Sequence, residues 1–369
     1  MRYIIIFILL NLILLTTAFT HHHHDGDSSS DSADNSDSNG YPSFKSGDIL
    51  ITDPSALYPS TVFEFTTDGD SVYNYSTQLE KDPSTTCFPV DIGFLDDSTL
   101  LLLDGFQGIF YSSMDGKVKG IWNNLSPKTA NLPGCSQSKL TVDNVNNLIY
   151  VASSNLNCDY NYVPGIFVLS MEGKLLYTLE NSEFNTTTGI YGDSNGNIWI
   201  TDINEIFIYN INQKTYKTID PIGKDKIAYN GIIIENNDVY VSVPSYQGDM
   251  IVQLNLDGSL VRAIKMIGYF DGTTSGYPSS LALTKNHIYV EVPYASKKEK
   301  PPGSSSSGSD SDSSFEGYFE FELSSNSQKV DVVQAYELAD GSFYKSWGGH
   351  SCKEENILCI PYRGFVIVP

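Results

Sequence analysis

Along most of the chain, short runs of alternating apolar and polar residues are separated by small polar turns. The stretch Thr187–Asp202, TTGIYGDSNGNIWITD, shows the unit. Ile190 and the run Ile198–Ile200 flank a turn rich in Gly, Asp and Asn. β-Branched and aromatic residues suit a pleated, half-buried surface, and Gly or Asn accepts the positive φ of a tight turn. The same strand–turn–strand pattern recurs at Val90–Asp104, Ser138–Ser153, Asn230–Val243 and Ser279–Val292, with a weaker copy at Gly349–Tyr362. Gly47–Asp53 supplies a second strand alone. After each copy comes another hairpin. Thr61–Ser76, Gly108–Trp122, Gly165–Leu179, Ile206–Ile219, Met250–Ile264 and Tyr318–Val333 make up this series, several of them around an Asp-Gly or Glu-Gly turn. Gly364–Pro369 reads as the third strand of a last unit.

Each unit therefore predicts four antiparallel strands, and no stretch has the period of an amphipathic helix. Four-stranded units at intervals of about 40–50 residues predict a β-propeller, in which each sheet covers its neighbour around an axis. The expected fold is all-β, with seven blades favoured by the count of second and third strands and six as the alternative. Tyr41–Leu50 is expected to help close the ring. The chain contains 24 Tyr and 18 Phe and has a charged fraction of only 18%, which suits extensive strand burial.

The ends and one interior stretch break the pattern. Arg2 precedes an apolar run from Tyr3 to Leu15 and the small residues Thr16-Thr17-Ala18. This arrangement predicts a secretory signal over residues 1–20; at roughly 13 residues the apolar run is short for a membrane span. Residues 21–40 (HHHHDGDSSSDSADNSDSNG) and the insertion 295–314 (ASKKEKPPGSSSSGSDSDSS) lack apolar residues to bury and are expected to be disordered, low-complexity segments. The propeller is thus expected over 41–369.

Secretion changes the reading of several residues. Asn74, Asn124 and Asn185 begin N-glycosylation triplets. Five cysteines in an oxidising compartment predict disulfides and one leftover thiol. Cys352 and Cys359 flank one turn, Cys135 and Cys158 flank another, and Cys87–Cys135 is a competing pair. The net charge of −22 makes nucleic acid an unsuitable partner, because an acidic surface repels phosphate. Calcium, cationic peptides and neutral sugars remain compatible.

The unit Gly-Ile…Asp…Gly-Asn-Ile-Trp-Ile…Asp in Gly189–Asp202, Asn230–Val243 and the Asp-Gly turn in Leu254–Val261 resemble the NHL-repeat and SMP-30 (gluconolactonase-like) propeller superfamily. The resemblance spans Gly47–Pro369 and implies either an interaction platform or a metal-dependent lactonase or esterase. The hydrolases hold a hard cation such as Ca2+ at the axis, with oxygen ligands from the starts of the innermost strands. Aligning those strands predicts one layer of Val90, Ser138, Thr188, Asn230, Ser279 and Trp347, and a second of Asp91, Lys139, Gly189, Gly231, Ser280 and Gly348, with alternation aiming Asp91 differently from Val90. Asn230, in an Asn-Gly-Ile similar to a hydrolase metal motif, is the candidate ligand, with Asp91 and His350 beside it. The alternative reading of Asn230 is a turn-entry residue satisfying backbone groups. The N-terminal Glu-Gly-Pro of the hydrolases is missing, and there is no Gly-x-Ser-x-Gly elbow.

The loops between second and third strands share a different signal. Tyr58, Tyr160, Tyr162, Tyr246, Tyr294 and Tyr362 fall in them and would ring one rim of a propeller. Tyrosine combines a flat apolar face with a polar tip, which suits sugars and peptides. The sequence thus predicts a secreted, glycosylated β-propeller that binds an extracellular carbohydrate or peptide ligand on one face. A metal-dependent lactonase or esterase is the alternative.

Overall fold

A computed structural model describes residues 43–53, 61–66, 71–105, 107–122, 136–154, 165–181, 183–184, 186–226, 228–245, 250–267, 278–284, 287–296, 314–322, 329–337 and 365–369. Strands β1 (Ile49–Asp53), β2 (Thr61–Phe65) and β3 (Ser71–Ser76) form an antiparallel meander. The next sheet holds β4 (Gln78–Leu79), β5 (Asp82–Thr86), β6 (Pro89–Asp96), β7 (Thr99–Asp104), β8 (Gly108–Ser113) and β9 (Val118–Trp122). Here β4 adds in parallel to the outer edge of β9. A third sheet runs β10 (Ser136–Asp143), β11 (Leu148–Ser154), β12 (Gly165–Ser170) and β13 (Leu175–Glu180). A fourth runs β14 (Thr187–Gly192), β15 (Asn197–Asp202), β16 (Ile206–Asn210) and β17 (Thr215–Ile219).

Two further meanders are β18 (Ile232–Glu235), β19 (Asp238–Val243), β20 (Met250–Asn255), β21 (Leu260–Ile267), and β22 (Leu281–Leu283), β23 (His287–Ser296), β24 (Ser314–Glu322), β25 (Lys329–Glu337). Their outer strands β21 and β25 pair in parallel, Lys265 with Lys329 and Ile267 with Asp331, and merge them into one eight-stranded sheet. Finally β26 (Phe365–Ile367) pairs with β1. Among the described residues the only helix is a short 3-10 turn at Gly223–Asp225.

The fold is therefore all-β, with antiparallel sheets in a propeller ring, and two expectations need correction. Among the described residues there are five hydrogen-bonded sheets, not seven or six separate ones, because parallel pairing of outer strands fuses two meanders. The terminal segment Gly364–Pro369 is not the third strand of a further unit. Its β26 is the inner strand of the first sheet, where the edge of β1 would otherwise be unpaired. The N-terminal segment does help at this seam: Gly47 N–H donates to Val368 O at 2.9 Å and Val368 N–H to Asp48 O at 2.8 Å. Strand β23 also continues through Ala295 and Ser296, which pair with Phe315 and Ser314, so the ends of the expected insertion 295–314 lie in strands.

Period-two alternation places the core between sheets. In β7, Leu100 and Leu102 pack toward Leu50, Val62 and Tyr75 of the first sheet. Leu101 and Leu103 of the same strand pack the other way, toward Ile149, Val151 and Phe167. The third sheet repeats the device with Ala152, Ile166 and Val168 against Ile190, Ile198 and Ile200. Trp199 and Ile206 cover Val239, Val241 and Val252 in turn, and Ile49 and Ile51 meet Ala282 and Tyr289. This is why the second strands read as continuous apolar runs: both faces are buried.

Turn chemistry fixes the register. At the β12–β13 turn, Gly173 has φ +75°, its N–H donates to Ser170 O at 2.9 Å, and the ladder slips by one residue between Val168 and Leu169. A three-residue turn with a left-handed last position gives this geometry, and glycine adopts it without steric cost. Between β18 and β19 the two-residue turn Asn236–Asn237 has φ of 52° and 68°, the primed hairpin turn that asparagine tolerates.

Because β26 closes the ring, deleting Gly364–Pro369 should remove the buried Val368 side chain and expose the edge of β1. We expect a loss of about 3 kcal/mol or more from aliphatic burial and unpaired backbone groups, measured by urea denaturation. An unchanged midpoint would contradict closure by this strand.

Candidate functional site

The inner strands pack in sequence, β6 on β10, β10 on β14, β14 on β18, β18 on β22, β22 on β26 and β26 on β6, and so enclose an axis. Polar or small residues stand at or just before the starts of several of them: Asp91 in β6, Ser138 and Lys139 in β10, Thr187 and Thr188 in β14, Asn230 and Gly231 before β18, and Ser279 and Ser280 before β22. In β6, β10 and β14 the ladder carries a bulge at the same place, between Pro89 and Asp91, Gln137 and Lys139, and Thr187 and Gly189. The extra residue is Val90, Ser138 or Thr188. A bulge shifts every later side chain relative to simple alternation, and it re-aims the residue that follows.

Through those bulges Asp91 and Lys139 enter one axial layer. The Asp91 carboxylate accepts the Leu140 N–H at 2.7 Å, joining the second sheet to the third. Lys139 Nζ donates to Ser280 Oγ at 3.3 Å, across 141 residues of sequence. Glu291 of β23 lies behind Ser280: its Oε2 accepts Ser279 Oγ–H at 2.6 Å, while its Oε1 is buried without a hydrogen-bond partner. Burial raises the Asp91 carboxyl to about 6, against the attraction of the Lys139 ammonium and the Leu140 N–H and with added repulsion from Glu291.

Hydroxyl groups stitch the rest of this layer. Ser138 Oγ–H donates to Thr187 O at 3.3 Å, and Thr188 Oγ1–H to Tyr229 O at 2.5 Å. Thr201 Oγ1–H donates to Asn230 O, and Ser242 Oγ–H to Ser279 O at 2.6 Å. Gly231 N–H also donates to Ser279 O at 2.9 Å, and a Cβ at Gly231 would lie 2.1 Å from that oxygen. Glycine is needed there because two backbones approach closely.

Lys139 and Ser280, which the alignment of inner strands puts in one layer, are in hydrogen-bond contact. Simple alternation would aim Asp91 and Val90 to opposite faces; the bulge between Pro89 and Asp91 breaks that alternation. Asn230 takes the turn-entry role: its Nδ2–H donates to Pro278 O at 2.7 Å, while its Oδ1 is buried without a partner. Glu291 was missed. At the matching place in the other second strands stand Leu103, Ala152, Thr201 and Ser242, so an acid inside the apolar run HIYVEVP was the available signal.

The remaining candidates divide by position. Asn74 is exposed on the outer strand β3, where a glycan has room. Asn124, Asn185, His350, Cys135, Cys158, Cys352, Cys359, Tyr58, Tyr160, Tyr162, Tyr246 and Tyr362 lie outside the described residues. Tyr294 is in strand β23, not in a loop as expected. Cys87, the one described cysteine, is a buried free thiol, pushed up by burial and by the nearby Asp104 charge. No cluster of three or more His, Cys, Asp or Glu side chains able to hold a metal occurs among the described residues.

Solved structures share the fold. A protein of unknown function from Bacteroides caccae is 16% identical over 81% of this chain and 96% of that one, with a TM-score of 0.52. A luciferin-regenerating enzyme is 11% identical over 82% of this chain and 95% of that one, with a TM-score of 0.51. At such identity these similarities establish the propeller architecture alone. No protein-family model and no curated protein matches the chain.

The raised Asp91 carboxyl has a signed consequence. Between its ordinary value of 3.8 and about 6, the folded chain binds more protons than the unfolded chain. Its contribution to stability therefore falls as pH rises through that window, by about 3 kcal/mol in all. Asp91→Asn keeps an acceptor for Leu140 N–H and should flatten this fall in urea titrations from pH 4 to pH 7. An identical pH profile in the variant would contradict it.

Proposed function

We propose that this chain is a secreted, glycosylated propeller of the NHL and SMP-30-like superfamily that works as an extracellular binding protein for a carbohydrate or peptide ligand. The observation that carries the reading is the Lys139 ammonium in the axial layer with Asp91 and Ser280. A hydrolase of the calcium-dependent kind needs several oxygen ligands converging there. Here an ammonium already provides the positive charge facing the Asp91 carboxylate, and Asn230 is partly committed to the Pro278 carbonyl. The exposed Asn74 on β3 and the apolar leader support passage through a secretory route.

The alternative, a metal-dependent lactonase or esterase, draws on the unpartnered oxygens Asn230 Oδ1 and Glu291 Oε1. The two readings separate in one set of assays. The full chain, expressed in a eukaryotic secretory host, should appear in the medium, lose mass on removal of N-glycans, and lose one glycan in Asn74→Gln. It should bind members of a glycan or peptide array and leave a lactone panel unturned with or without calcium. Retention in the cell as an unglycosylated chain would sink the secretory reading. Calcium-dependent lactone turnover would sink the binding reading.

A further inference from the structure

We propose that Asp48 and Glu64 share a single proton and that this proton latches the ring, so that the junction between the N-terminal strap, residues 44–48, and β26 opens more readily as pH rises. The inference is independent of the binding reading above. The strap is held at three points. Phe44 N–H donates to Met114 O at 2.9 Å, and Lys45 N–H donates to Glu64 Oε1 at 3.0 Å. Gly47 and Asp48 exchange two backbone bonds with Val368. The two carboxyls thus belong to residues that carry the closing contacts.

Register places the two side chains together. Glu64 of β2 stands opposite Leu50 of β1, and Asp48 precedes Leu50 by two residues. Alternation puts all three on the face that packs against the second sheet. Glu64 is 0% exposed and Asp48 is 8% exposed, and neither is in an ion pair among the described residues. Asp48 Oδ2 supplies the independent observation, because it is buried without a hydrogen-bond donor. As a carboxylate Glu64 has no proton to give it. Both Glu64 oxygens already accept, Oε1 from Lys45 N–H and Oε2 from Tyr75 O–H at 2.6 Å. Two buried carboxylates side by side repel, whereas one proton between them leaves a single charge and turns an orphaned acceptor into a hydrogen-bonded one. A protonated Glu64 donating to Asp48 has that effect.

The surroundings set the proton's hold. Burial raises the Glu64 carboxyl above its ordinary 4.5, the Tyr75 and Lys45 donors oppose this, and the charge and hydrogen bond of Asp48 add to it. Burial and the Glu64 hydrogen bond push the Tyr75 phenol up, so it remains a donor around neutral pH. The other facing groups bring no counter-charge. Strand β3 adds Tyr73 beside Tyr75, and the second sheet adds apolar side chains with the Cys87 thiol, which burial keeps protonated. Lys45 turns its ammonium to solvent, and Asp115 and Lys117, at the turn beside Tyr75, pair with each other at 3.3 Å. Above the ordinary carboxyl value the folded pair keeps a proton that the unfolded chain has released. Its stabilising contribution is therefore full in acid and falls as pH rises. The lost proton goes to water, and the carboxylates then repel at the residue whose carbonyl receives Val368 N–H.

The test is NMR on the isotope-labelled full chain across the acid-to-neutral range. The Glu64 side-chain carboxyl carbon should titrate with a midpoint above 4.5. Amide protection at Gly47 and Val368, corrected for the intrinsic effect of pH on exchange, should fall by about tenfold or more for each unit by which the pair is raised. Glu64→Gln and Asp48→Asn each replace the shared proton with a fixed N–H donor. Each, with folding verified by thermal melts, should hold that protection constant to within about twofold. Asp91→Asn should leave the fall at Gly47 and Val368 intact, which separates the latch from the axial carboxyl. A Glu64 midpoint at or below 4.5 would overturn the latch, and this titration decides the matter in the unaltered chain even if the variants do not fold. Protection at the junction that ignores pH, an equal fall in the two folded variants, or loss of the fall in Asp91→Asn would also overturn it.

Discussion

The propeller depends on a polar seam at its axis, where groups of one sheet hydrogen-bond the backbone of the next. Apolar packing between sheets supplies most of the burial, but it is non-directional and tolerates sliding. The seam is directional. Thr188, Thr201 and Ser242 reach carbonyl groups of the following inner strand, Asp91 holds the Leu140 amide, and Gly231 lets its own amide meet Ser279 O. In the low dielectric of the interior each of these bonds is costly to leave unmade, so together they fix how far one sheet is rotated from its neighbour.

That seam connects architecture to chemistry. Bulges at Val90, Ser138 and Thr188 bring polar side chains to the axis at a fixed height. From β14 to the entry of β22 the result is neutral, built of hydroxyl, amide and glycine groups, with Thr187 Oγ1 and Asn230 Oδ1 buried without partners. Between the second and third sheets and the β22–β23 hairpin it is charged, with Lys139, Asp91 and Glu291 in one layer and a carboxylate oxygen left over.

Much of this architecture was legible in the chain because hairpins are local. The Asp-Gly turns, the Asn236–Asn237 turn and the apolar second strands each report on residues close in sequence, and the hairpins at Val90–Asp104 and Thr187–Asp202 fall where the pattern puts them. Sheet count was not legible, since it turns on parallel pairing of β21 with β25 and on the return of β26 to β1, contacts between residues far apart. At the axis, repeat alignment recovered Asp91, Lys139 and Ser280, but a bulge reverses the facing that simple alternation implies. Glu291 is not legible from the inner strands because it stands in the second strand β23 and meets the axis only through ring closure. The cysteine pairings and most of the tyrosine rim lie outside the described residues.

Native-state hydrogen exchange tests the seam most directly. The Leu140 and Gly231 amides, each bonded across a sheet boundary, should exchange only through global unfolding, with protection equal to the full unfolding free energy. Amides of the outer strand β17 should exchange sooner by local opening. Equal or faster exchange at Leu140 and Gly231 would show that the axis does not hold the ring together.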